Sequence, residues 1–153
     1  MKHNRFLIAL MVAVTGLFAS SCEQDIADET ITKSTTMTGA QEVPAVPSTG
    51  TGALSYTYNK STRTLTYSVT WSGCTDSVTA MHIHGLATRG QSAGILQGFT
   101  LSTVQKRKEG TYTGNVYFDD QIMKEAELFA GKYYLNLHTK AYPGGELRGQ
   151  IEL

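Results

Sequence analysis

Several things are scarce in this 153-residue chain, and each scarcity closes a possibility. Two cysteines cannot make a disulfide-rich scaffold. Neither sign of charge is in surplus: thirteen Lys+Arg face thirteen Asp+Glu, which argues against a nucleic-acid binder and its usual basic excess. There is no repeat of fixed period, no nucleophile elbow, no phosphate loop and no Cys-His zinc spacing. The apolar run at residues 6–18 is about thirteen long, short of the roughly 20 residues that a spanning helix needs. What is present suffices for one ordinary domain with a real core. Hydrophobic residues make up 41% and charged ones 17%, so the chain is neither disordered nor wholly membrane-embedded.

The first 22 residues divide the molecule. Lys2 and Arg5 precede the apolar run, and Ala19, Ser20 and Ser21 lead to Cys22. That is the three-part layout of a secretory signal peptide over residues 1–21. The segment LFASSC resembles the bacterial lipobox, which implies that Cys22 is diacylated and becomes the first mature residue. Cleavage there leaves eleven basic against thirteen acidic residues, a net charge of −2, and three histidines. Cys74 is then the one free thiol, with structural burial its expected role. Residues 22–35 are expected to be the lipidated Cys and a flexible tether, and residues 36–153 the domain. Acids just after Cys22 resemble surface-export signals of some Gram-negative lipoproteins. The expected location is therefore the bacterial outer membrane, facing periplasm or surface, with the lipid as membrane contact.

From there the chain reads as strands. Leu54, Tyr56 and Tyr58 alternate with Ser55 and Thr57; Leu65, Tyr67, Val69 and Trp71 alternate with Thr66, Ser68 and Thr70. A period of two in Thr-, Tyr- and Val-rich runs marks half-buried antiparallel strands. Similar runs lie at residues 36–42, 81–84, 95–102, 111–118, 133–138 and 146–153. The expectation is all-β: an antiparallel sandwich or barrel of about eight strands. Residues 119–130 read as one short helix with an Asp cap, a Gly131 stop, and apolar residues at 122, 126 and 129. Trp71 and most tyrosines share parity with aliphatics and belong in the core, whereas Tyr142 sits in a Pro-Gly turn and is expected to be exposed.

The histidines are the candidate chemistry. His82 and His84, at i and i+2, leave one face of a strand, opposite Met81 and Ile83. His138 and Asn136 share a parity opposite Leu135 and Leu137; Glu146, Arg148 and Gln150 oppose Leu147 and Ile151. If these strands are neighbours, His82, His84, Asn136, His138, Glu146 and Arg148 form one polar patch. Two readings stay open. One is a hydrogen-bonded network in which Glu146 and Arg148 pair. The other is a three-nitrogen site for Cu or Zn made by His82, His84 and His138.

Three blocks, TGAQEVP at 38–44, AMHIHGLATRGQSAGILQG at 80–98 and YYLNLHTKAYPGGELRGQIEL at 133–153, together resemble the chordin-type CHRD domain. The matching motif residues are Glu42, Pro44, His82, His84, Gly94, His138, Pro143, Gly145, Glu146, Arg148 and Gly149. The resemblance implies an all-β domain over residues 36–153 with no established catalysis. A weaker resemblance, to the copper-zinc superoxide dismutase sandwich, rests on His-x-His and a later His; the further histidines of a two-metal centre are missing. The expected function is thus an envelope-anchored lipoprotein with a non-catalytic binding or structural domain, recognising a protein or glycan. A Cu- or Zn-binding protein is the alternative.

Overall fold

The computed structural model describes residues 29–103 and 105–153. The expected signal peptide, Cys22 and the start of the tether lie outside the described residues. The described residues form eight strands: β1 Thr30–Thr38, β2 Thr51–Asn59, β3 Thr64–Ser72, β4 Val78–Gly85, β5 Ile95–Gly98, β6 Gly110–Tyr117, β7 Tyr133–Thr139 and β8 Leu147–Ile151. They make one antiparallel sheet in the order β5-β4-β7-β8-β1-β2-β3-β6. A single register pair, Thr38 with Arg148, joins its two halves. The sheet curls there, and buried side chains from both halves fill one core. The expected all-β antiparallel fold of about eight strands is what the chain adopts.

The alternation read in the sequence places the core. On β2 and β3, Leu54, Tyr56, Tyr58, Leu65, Tyr67, Val69 and Trp71 all turn inward, cross-paired in register as Leu54 with Val69 and Tyr56 with Tyr67. Each full burial of such a side chain contributes about 1.5–3 kcal/mol. Cys74 is buried and unpaired among the described residues, as expected. Burial, with the charge of Glu146 nearby, pushes its thiol up to about 11.

Boundaries differ at three places. The first strand begins at Thr30, so residues 30–35 pair with β2 rather than forming tether. The β-propensity of the Thr-rich TITKSTT run outweighs its polarity once a partner strand is present. Residues 39–41, expected as strand, form a 3-10 turn, and the fifth strand stops at Gly98. Helix α1 spans only Glu125–Phe129. Asp119 Oδ1 instead accepts the backbone N–H groups of Gln121, Ile122 and Met123, which closes a tight turn before the helix. Asp120 serves the true helix start, accepting from the Glu125 N–H. The later start rotates the apolar face: Met123 and Leu128 are buried, while Ile122 and Phe129 stay exposed. Gly131, at φ 66°, ends the helix as the sequence predicts. No helix among the described residues is long and apolar enough to cross a membrane.

Strand β7 is what positions the polar residues. All seven of its residues are buried, as are all five of β8, so these two strands are covered on both faces. The apolar core lies under one face. Over the other face lie residues 39–48, 86–94 and 140–145.

Candidate functional site

On the second face, β4, β7 and β8 bring His82, His84, Tyr134, Asn136, His138, Arg148 and Gln150 side by side. Register pairs His84 with Tyr134, His82 with Asn136, Asn136 with Arg148 and Tyr134 with Gln150. Sequence parity predicted that His82, His84, Asn136, His138, Arg148 and Gln150 leave the core; it did not predict that all of these but His82 are buried again. Arg148 is 1% exposed, Asn136 2% and His138 8%, beneath the overlying loops.

Arg148 spends its guanidinium on those loops. Nη1 donates to the carbonyl of Gln91 at 2.7 Å, and Nη2 donates to Gln150 Oε1 at 2.8 Å and to the carbonyl of Thr88 at 3.3 Å. Its Cζ lies 3.5 Å from the centroid of the Tyr134 ring, a cation–π contact. Gln150 extends the hold, its Nε2 donating to the carbonyls of Ala87 and Gly131, both at 2.8 Å. Hydrogen bonds to a charged donor contribute about 1.5–3 kcal/mol each, so the loop at 86–94 is strongly held.

At the other end His82 and His138 are hydrogen-bonded to each other and His84 stands beside them, and the tautomers follow from their partners. His138 Nδ1 faces the carbonyl of Pro143 at 2.8 Å and must donate. Its Nε2 is then an acceptor, receiving the Nδ1–H of His82 at 2.9 Å. His84 Nδ1 donates to the carbonyl of Ala93 at 2.9 Å, which leaves its buried Nε2 without a partner. The His84 ring stacks on Tyr134 with centroids 4.8 Å apart and planes 8° apart. Burial, then the neighbouring imidazoles, lowers the pKa of His82 to about 4. Burial likewise lowers that of His138, against the hydrogen bond to Pro143. One ligand atom from each of His82, His84 and His138 lies within 4.8 Å of the others, so this trio is where an ion could be held.

Glu42 closes the layer from the loop side. It is 8% exposed, and its Oε1 has no hydrogen-bond partner. Burial raises its carboxyl to about 7, against the opposing pull of the Arg148 charge and the Asn136 side chain. A cavity of about 200 Å³ lies beside it, lined in part by Gln41, Arg89, Arg148 and Gln150. Gly145, at φ 129°, makes this approach possible. A Cβ there would stand 2.7 Å from Asn136 Nδ2 and 2.8 Å from Glu42 Cδ.

Residues 33–151 match the model of the CHRD domain. The chain belongs to the CHRD-domain family. No curated protein and no solved structure matches it.

Within this CHRD domain, two sequence expectations need correction. Glu146 and Arg148 do not pair. Glu146 precedes β8 and reaches a different set of groups: Ser48 Oγ at 2.6 Å, the Thr75 N–H at 2.7 Å and Thr139 Oγ1 at 2.6 Å. Burial opposes its charge, but those hydrogen bonds outweigh it and hold the carboxyl below its ordinary value. The other patch residues, His82, His84, Asn136, His138 and Arg148, do come together. Tyr142, expected to be exposed, is half-buried, and its carbonyl accepts from the N–H groups of Thr139 and Gly145. Tyr134 was missed as a member of the layer, although it shares the parity of Asn136 and His138. The carbonyls that receive Arg148 carry no side-chain signal at all. Arg89, on the outer side of its loop, pairs with Glu152 at 2.8 Å and donates to Gln41 Oε1 at 3.1 Å.

Proposed function

We propose that this protein is an exported, membrane-tethered, non-catalytic CHRD module whose polar layer serves the fold. The observation that carries the reading is the burial of Arg148, with its donors directed to Gln91, Thr88 and Gln150. A charge so committed is a clamp that fixes loop shape. In this reading the outward surface of the pinned segments at 39–48, 86–94 and 140–145 recognises a protein or glycan of the envelope. Rigid loops on a sheet scaffold are the usual place for recognition, because ordering them in advance lowers the entropy cost of binding. The lipid on Cys22 supplies the tether, a role supported by the layout of residues 1–22.

Two measurements test the parts separately. Hydrogen exchange at residues 86–94 should speed up in Arg148→Met while the β2–β3 amides keep their protection; unchanged loop exchange would remove the clamp. Metabolic labelling with a fatty acid should mark the wild-type chain and not Cys22→Ser, and equal labelling of both would remove the tether.

A further inference from the structure

The geometry points to a three-nitrogen site for one borderline divalent cation, Zn²⁺ or Cu²⁺, formed by His82, His84 and His138. This goes beyond the clamp and does not depend on it. The chemistry of the donors sets the class of ion: three imidazoles, with no thiolate or carboxylate among them, suit zinc and copper and not calcium or magnesium.

Three features make the trio more than a chance cluster. First, His84 and His138 each donate Nδ1–H to a backbone carbonyl, Ala93 and Pro143 respectively. That outer-shell bond fixes the tautomer with the Nε2 lone pair free, as in metal-ligating histidines. Second, the His84 Nε2 is buried with no hydrogen-bond donor facing it. A buried lone pair left unsatisfied is costly, and a cation is a partner that satisfies it. Third, His82 Nδ1 and His138 Nε2 stand 2.9 Å apart around one shared proton. Two nitrogens on a tetrahedral ion with bonds of about 2.0–2.1 Å lie roughly 3.3 Å apart, so an ion replaces that proton with a small opening of the pair.

His82 then carries its proton on Nε2 instead of Nδ1, and binding changes the tautomer without a net proton loss. His84 closes on the ion from within the 4.8 Å spread of the three ligand atoms. Arg148 sits on the β8 side of the central strand and His84 on the β4 side, with the Tyr134 ring in contact with both. The guanidinium is thus kept off the imidazole by an aromatic ring. His82 is the least buried of the three, so the fourth position of the ion opens toward water there.

The test uses the full chain, purified without a polyhistidine tag and equilibrated with zinc or copper sulfate, then dialysed. The expected result is one equivalent of ion per chain by elemental analysis. His84→Phe keeps a ring against Tyr134 and should weaken binding by more than the roughly 10–100-fold that outer-shell changes cost. Long-range proton–nitrogen NMR on the wild type decides the matter whatever the variant does. Adding Zn²⁺ should move the ring nitrogens of His82, His84 and His138 and convert His82 from the Nδ1–H to the Nε2–H form. No stoichiometric ion on the wild type, full binding by folded His84→Phe, or unmoved signals from the three rings would each overturn the proposal.

Discussion

Glu42 and Arg148 are both buried in the polar layer, and of the two only the Glu42 carboxyl titrates in the accessible pH range. The Glu42 carboxyl is raised to about 7 by burial, so between its unfolded value near 4.5 and pH 7 the folded state holds a proton that the unfolded state has released. Stability from this group therefore falls as pH rises across that window. Glu42→Gln should be more stable than wild type by about 1–3 kcal/mol at pH 8 and by little at pH 4. The measurement is urea unfolding of both proteins at the two pH values; a gap that does not grow with pH would contradict the assignment. The depressed imidazoles of His82 and His138 slope the other way, and taking the difference between the two proteins removes them. Gly145 gives a second test at this scale. Its φ of 129° lies in a region that side chains rarely adopt, and the space beside it is taken by Glu42 and Asn136. Gly145→Ala should cost about 1–3 kcal/mol or more and lower the thermal midpoint by at least about 5 °C; an unchanged midpoint would mean the turn relaxes freely.

Between elements, Glu146 does for the other end of the sheet what Arg148 does for the loop at 86–94. Its carboxylate gathers Ser48 from the segment before β2, Thr75 from the β3–β4 connection and Thr139 from the end of β7. Glu146→Gln removes the charge and puts an NH2 donor in place of one of the two accepting oxygens, and should cost about 2–4 kcal/mol in equilibrium unfolding. A change below about 0.5 kcal/mol would show that the three segments hold without it. Strands were the most legible part of the sequence, because a side chain's face follows from parity alone. That logic found the β2–β3 core and the shared face of His82, His84, Asn136, His138 and Arg148. It failed for Glu146, whose partners come from three separate segments that no spacing rule connects. It failed also for α1, where two adjacent aspartates offered two possible caps and Asp119 went to a turn. The burial of the polar face was illegible for a further reason: its cover is held by backbone carbonyls of Thr88, Gln91, Ala93 and Pro143, which every residue type carries.

At the scale of the whole molecule, one curled sheet has an apolar interior and, among the described residues, a polar second layer over β4, β7 and β8. The apolar interior accounts for cohesion, and the polar layer for the shape of the irregular segments laid over it. Balanced charge argued against a nucleic-acid binder and left other partners open; the positions of three histidines carried more information than the totals. The central claim is that the second layer is an internal clamp built on Arg148, and equilibrium unfolding of Arg148→Ala against wild type tests it most directly. Removing the guanidinium leaves the carbonyls of Thr88 and Gln91 and the Gln150 amide oxygen without their donor. A loss of about 2–5 kcal/mol is the predicted result; stability within about 0.5 kcal/mol of wild type would contradict the account.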